Sequence, residues 1–510
     1  MKKIGIILAL VLATVGCRKE SDVILSYGKK DALTFSEASQ SFTAQFQALW
    51  TGLNCNYGIW DYEMQHGLDW DAVYREYLPL MEELDQRDEE ENPVSDEELE
   101  ALYTAILSPL HDGHLMVEVK NLDSGNYITI YPAKLRNASR PDIKEGRPPH
   151  KGYYLTPQAG ENQALRFHLT NTRPASFIEG QVQAALQALD AAIKALEAKR
   201  ADLTDLELYF LVQYRAAYRE LAAYKLESMQ DLDYFNQVLT TKYQNIGIAF
   251  EPFDLSDSTS WIDIQFMLFD PGIAYFHCTG FYLGQYLEGK LMASECQKIM
   301  TQRVSAVWNE WFSAIQDLHK EGKLKGVVID LRGNIGGYSS DYAYVLGALL
   351  PSGGHNVSSA RFKSGVGRLD YSPLTPNHLP TMQAEHAVIT EPVVVLANSN
   401  TVSMAELTCL GAKAMDNAVV MGGNTWGGLS LLLSDPEYYS FAYASSIGVR
   451  GETPFYAYIP TSSTISDELG ILEGVGVTSD IPIALDANLF EATGRDNQLE
   501  RALQYIRTGE

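Results

Sequence analysis

A serine hydroxyl becomes a nucleophile when a base takes its proton and fixed N–H groups receive the charge that develops on the attacked carbonyl. The stretch Pro392-Val-Val-Val-Leu396-Ala-Asn398-Ser-Asn400-Thr-Val-Ser403-Met404-Ala-Glu406 has the order such a group requires. An apolar run reads as a buried strand, a polar turn follows, and a helix opens at Ser403, where free N–H groups and the helix dipole favour negative charge. The N–H of Met404 then stands where an oxyanion would form. The same residues also read as a plain helix cap, with Ser403 at the N-cap and Glu406 three residues on completing a capping box. Local sequence leaves both readings open.

Three further stretches carry matching chemistry. Gly326-Val-Val-Ile-Asp330-Leu-Arg332-Gly333-Asn334-Ile-Gly336-Gly337 runs an apolar strand into a glycine-rich loop, which can turn backbone N–H groups outward toward a phosphate or an oxyanion. Leu110-His111-Asp112-Gly113-His114 offers an imidazole as base, with His114 on a glycine-flanked turn and His111 its immediate competitor. Leu472-Glu473-Gly474-Val-Gly476 supplies a carboxylate that could orient an imidazole, while Asp480 nearby reads as a loop-stabilising residue.

The order of these motifs resembles the tail-specific, or C-terminal processing, serine peptidases, and most of all their tricorn-like and interphotoreceptor-retinoid-binding-protein-like branch. The motifs are Asp-Gly-His114, Asp330-Leu-Arg-Gly-Asn-Ile-Gly-Gly337, Ser403-x-x-Glu406, Gly422-Gly-Asn-Thr425-Trp-Gly427-Gly428, Glu473-Gly-Val-Gly-Val and Asp496-Asn-Gln-Leu-Glu-Arg-Ala. The resemblance covers roughly residues 35–115 and 240–506, and it implies a crotonase-like α/β catalytic domain that cleaves peptide bonds through an acyl-enzyme. Carried over by position, it makes Ser403 the nucleophile, His114 the general base and Glu473 the group that orients the base. The N–H groups of Gly336 and Met404 become the oxyanion hole. Two departures stand out. Gly428 occupies the place of the processing branch's lysine base, which favours His114, and Gly113 stands where the tricorn-type arrangement has a serine. No PDZ-like carboxylate-binding loop is evident in the middle of the chain, so recognition of free C-termini is not expected.

The elements that must position these residues fall into regions. Residues 35–115 read as an N-terminal helical domain: Phe42, Phe46 and Leu49 recur at helical spacing, and Ser95 with Glu98 forms a capping box. Residues 116–240 combine short strands with a helical hairpin, its seam formed by Val182, Leu186, Leu189, Ile193 and Leu196, and Thr204 with Glu207 capping the second arm. Residues 241–510 alternate strands and helices, the pattern of βαβ units and a largely parallel sheet.

Ahead of these lie a signal segment over 1–17 and a polar tether over 18–34. Lys2 and Lys3 precede an apolar run too short to span a bilayer, and Gly16-Cys17 after it resembles a bacterial lipobox. Cys17 is therefore the expected lipid-attachment site, with the protein held at the envelope of a Gram-negative-type bacterium. The remaining cysteines, Cys55, Cys278, Cys296 and Cys409, show no Cys-x-x-Cys spacing and read as buried thiols; neither a metal nor another cofactor is expected. The formal charge of −26 argues against a nucleic-acid partner, because phosphate binding needs a basic surface. The expected partner is a peptide or unfolded protein. The alternative is a catalytically silent protein that binds a peptide or hydrophobic ligand on the same scaffold.

Overall fold

The computed structural model describes residues 34–88, 91–138, 140, 163–166, 173–199, 203–224, 238–250, 263–269, 272–290, 295–365, 367–432, 442–443, 446–493 and 495–509. The expected signal segment with Cys17, and all of the tether but its last residue, lie outside them. The chain forms two compact units, each assembled from separate stretches of sequence.

The first unit gathers the described parts of Met1–Leu155, Gly354–Pro380 and Val395–Arg501. Helices Phe42–Asn56, Trp60–Gln65, Trp70–Asp85 and Asp96–Leu107 open it. Their apolar stripes bury Phe46, Leu49, Trp50, Trp60, Trp70 and Tyr103 in one core. Trp50 and Trp70 stack with centroids 6.2 Å apart, and the Trp50 indole N–H donates to the Trp70 carbonyl at 2.9 Å, which satisfies a buried donor. The Ser95 cap is made by one half only. Ser95 Oγ accepts the Glu98 N–H at 3.2 Å, but the Glu98 carboxylate pairs with the two terminal guanidinium nitrogens of Arg87 at 2.6 and 2.7 Å. A charged, two-pronged pair outcompetes a single amide.

Antiparallel sheets complete this unit. One runs in the order Ala442–Tyr443, Ser446–Ile447, Phe455–Tyr458, Met116–Lys120, Tyr127–Ile130, with Val117 opposite Ala457 and Val119 opposite Phe455. The strand that directly follows the His111–His114 turn is thus paired to chain far downstream. A second sheet orders Gly470–Ile471, Ser462–Ser466, His355–Phe362 and Thr375–Leu379.

The second unit holds the described parts of Thr156–Gly353, Thr381–Val394 and Ala502–Glu510. Its strands Ile273–Cys278 and Gly326–Asp330 are parallel, and the helix Glu295–Lys320 lies between them in sequence, a βαβ unit as the alternation predicts. Asp263–Phe269 and Gln163–Arg166 extend the sheet antiparallel, so the sheet is mixed. The hairpin Arg173–Lys199 and Asp205–Ala223 buries Val182 and Leu189 along its seam. Here the Thr204–Glu207 capping box is complete, and Glu197 pairs with Arg215 across the arms at 2.6 Å. The wholly buried strand Val393–Ala397 begins in this unit and ends in the first. Cys55, Cys278 and Cys409 are buried. Among the described residues, no helix is long and apolar enough to cross a membrane.

Candidate active site

Ser403 sits at φ 59°, ψ −123°, and among the described residues it alone has a positive φ without being glycine. The Ala405 N–H donates to the Val402 carbonyl at 3.1 Å, which closes a type II′ turn with Ser403 at its first central position. A Cβ there is strained by about 1–3 kcal/mol, so the surrounding structure must hold it in place. The Ser403 side chain makes no capping hydrogen bond. Instead the Glu406 N–H donates to the Ser403 carbonyl at 2.8 Å, and the Ser403 N–H donates to Glu406 Oε2 at 3.0 Å. The cap reading therefore holds for Glu406 and fails for the serine hydroxyl. Among the described residues the Met404 N–H meets no acceptor.

Glu406 is fully buried and collects donors from a second segment. Its Oε1 accepts the Thr425 hydroxyl and the Gly427 N–H at 2.7 Å, and its Oε2 accepts the Gly428 N–H at 2.8 Å. Burial pushes its carboxyl up to about 7 despite these donors, and the charge of Glu473 adds to the shift.

The histidine turn packs on that same segment. The Trp426 indole N–H donates to the Gly113 carbonyl at 2.9 Å. A Cβ on Gly113 would lie 2.2 Å from the Gly427 carbonyl oxygen and 2.4 Å from Gly428 Cα, and one on Gly428 would lie 3.3 Å from Gly113. The contact at Gly113 accounts for one departure noted in the sequence, because a serine before the histidine has no room. At Gly428 a side chain would be a tight fit that needs its neighbours to give by a few tenths of an ångström.

Asp112 Oδ1 accepts the N–H groups of His114 and Leu115, both at 2.7 Å, a local turn that the Asp-Gly-His spacing permits. Glu473 accepts the N–H of Gly113 at 3.1 Å, of Leu429 at 2.7 Å and of Ser430 at 2.5 Å. Burial raises the carboxyls of both Asp112 and Glu473. Glu473 thus grips the turn that carries the histidine, and it makes no hydrogen bond to the imidazole.

Among the described residues, both His114 ring nitrogens are buried without a partner, and burial lowers the ring to about 4, so it is neutral at ordinary pH. No hydrogen bond joins it to Ser403. His111 differs: its Nδ1 lies 2.7 Å from buried Glu63, which also accepts the His111 N–H and the Tyr57 hydroxyl. Asp480 takes the loop role the sequence allowed, accepting the Val420 N–H at 2.8 Å and pairing with Lys413. Thr425 and Trp426 belong to the Gly422–Gly428 motif, which by itself gives neither a role. No spacing signal marks Glu63, because it reaches the site only through the fold.

In the second unit, Asp330 and Arg332 form a buried pair at 2.9 and 2.6 Å, with the Tyr275 hydroxyl donating to Asp330 at 3.0 Å. Burial opposes the charge on Asp330, yet the Arg332 guanidinium holds the carboxyl below its usual range. The loop they anchor turns at Gly336 (φ 80°) and Gly337 (φ 143°), where a Cβ on Gly337 would lie 2.2 Å from the Phe281 carbonyl oxygen. The Gly336 N–H donates to Asn334 Oδ1 at 2.8 Å. The Gly337 N–H meets no acceptor among the described residues.

The sequence model of Peptidase family S41 matches residues 273–447. Over that segment the chain is similar to Peptidase family S41. The segment contains Ser403, Met404, Glu406 and the Gly336–Gly337 turn. Carboxy-terminal processing protease CtpA of Bacillus subtilis (strain 168) is 32% identical over 119 residues, 23% of this chain and 22% of that protein. The chain therefore matches about a fifth of that curated relative's length. A solved structure of a candidate peptidase from Parabacteroides merdae ATCC 43184 is similar over 92% of this chain and 97% of its own, at 15% identity and a TM-score of 0.50. That likeness is one of fold. Mature CPAF is similar over 93% of this chain and 98% of its own, at 11% identity and a TM-score of 0.45.

Proposed function

We propose that this chain is a serine peptidase that hydrolyses peptide bonds through an acyl-enzyme, with Ser403 as nucleophile and His114 as general base. The observation that carries the proposal is the strained turn at Ser403. It keeps a hydroxyl out of capping at a helix start and leaves the next N–H without an acceptor.

The neutral His114 imidazole takes the Ser403 proton as Oγ bonds to the substrate carbonyl carbon, and the Met404 N–H receives the oxyanion. Collapse breaks the C–N bond, and the proton held by His114 leaves with the amine. Water, activated by the same imidazole, then cleaves the ester and restores Ser403. The hydrogen bond between imidazole and hydroxyl forms in the substrate complex, as catalytic contacts often do. Glu473 acts by holding Gly113, and so the base, through the backbone. The resemblance gives Gly336 a share in the oxyanion hole; its N–H must first leave Asn334 Oδ1. The same resemblance supports a crotonase-like catalytic domain. Gly16-Cys17 supports a lipid anchor at the envelope, tested by loss of palmitate incorporation in Cys17→Ala.

Fluorophosphonate labelling tests the reading. Wild type is modified, Ser403→Ala is not, and His114→Ala reacts more slowly by about 10²-fold or more. The unbonded imidazole favours a second reading, a silent binding protein. An unlabelled wild type would establish it.

A further inference from the structure

We propose that Glu406 is a positioning residue, whose carboxylate locks the nucleophile turn to the loop on which the histidine turn packs. The inference rests on reading Ser403 as the nucleophile. In an ordinary capping box the serine hydroxyl accepts the N–H three residues on, and the glutamate accepts only the serine N–H. Here the Glu406 N–H goes to the Ser403 backbone carbonyl, so the hydroxyl is spared.

The carboxylate does more than a cap requires. Two of its acceptor positions hold Ser403 and Gly428, and two hold Thr425 and Gly427. Thr425 is fixed in turn, since its hydroxyl accepts the Val477 N–H at 2.7 Å. Between Thr425 and Gly427 stands Trp426, whose indole N–H reaches the Gly113 carbonyl one residue before His114. One buried carboxylate thus sets the nucleophile turn against the segment that seats the base. An error of an ångström in such a distance can reduce turnover about 10²-fold.

Four donors around one carboxyl are all satisfied only by the ionised form, which offers about four lone-pair positions. Burial places that ionisation near neutrality, at about 7. The titratable groups facing Glu406 are Glu473, whose charge adds to the shift, and Cys409, whose thiol burial itself pushes up. Turnover should therefore rise as pH increases through about 7, well above the value of about 4 at His114.

The test compares wild type with Glu406→Gln and Glu406→Asp. Glutamine puts an NH2 group where the carboxylate faces donors. It should lower kcat about 10²-fold with KM little changed, and abolish the limb near 7. Aspartate should keep the limb and part of the rate. Hydrogen exchange at the amides of Ser403, Gly427 and Gly428 reads the same device without activity: the glutamine variant should lose their protection. Wild-type kcat and an unchanged limb in Glu406→Gln, or undiminished protection, would overturn the proposal. If wild type is not labelled by fluorophosphonate, the peptidase reading falls and exchange alone decides. If Glu406→Gln does not fold, wild type decides, because protection at the three amides must fall as pH drops through about 7; a flat profile overturns the inference.

Discussion

Ser403 is where residue-scale physics departs most from sequence expectation. A serine followed three residues later by glutamate is a common cap, and nothing in the local pattern distinguishes it from a nucleophile. The distinction lies in φ, which the fold holds at 59°. If that backbone is strained, replacing Ser403 with glycine should relieve it, whereas alanine should not. Ser403→Gly is expected to exceed Ser403→Ala in stability by about 1 kcal/mol, after allowing for glycine's greater unfolded-state entropy. Urea midpoints measure this; equal midpoints would mean that no strain resides at 403. Glu473 gives a complementary lesson. Its position in the motif order is as expected, but it acts on the Gly113 amide and not on the ring.

At the scale of elements, the site depends on one close backbone approach. The turn Leu110–His114 is held by the strand Met116–Lys120, and that strand is held by Phe455–Tyr458. The segment Thr425–Gly428 then lies against Gly113 closely enough to exclude a Cβ. Both atoms in the way belong to backbone, so neither can swing aside. Gly113→Ala should therefore cost about 1–3 kcal/mol and displace the histidine turn. Thermal melting should show the loss, and fluorophosphonate labelling should slow at least tenfold, about the effect of a small misplacement. Wild-type labelling in Gly113→Ala would mean that this contact does not seat the base. That a short strand follows the histidine turn was legible in the sequence. Its partner was not, because register between strands so distant is set by the pairing of whole faces.

For the whole molecule, charge is the property that sequence states outright. The formal charge of −26 makes the chain strongly anionic, and a net charge far from zero steers charged ligands. Lysine-flanked peptides should be cleaved with a higher kcat/KM than glutamate-flanked peptides of the same core at about 0.01 M salt, where charges interact over about 30 Å. The difference should close at about 1 M, where that range falls to about 3 Å. A preference unchanged by salt would assign it to contacts within the site. The two compact units also belong to this scale. The helical hairpin and the strands Met116–Lys120 and Tyr127–Ile130 are neighbours in sequence yet lie in different units, so boundaries drawn along the chain do not mark them.

Sequence by itself determined what depends on neighbours along the chain. It placed the buried strand before Ser403, the helix after it, the Thr204–Glu207 cap and the βαβ unit ending at Asp330. It also carries the order of motifs that resembles the family whose model matches residues 273–447. Only tertiary structure decided that the Ser403 hydroxyl is uncapped, that Glu406 gathers donors from two segments, that Gly113 leaves no room for a side chain, and that Glu473 holds an amide. Each of these depends on which distant backbone groups come within hydrogen-bond or contact distance. Propensity and periodicity carry no such information, because a residue's φ and its partners are selected by the packing of the completed fold.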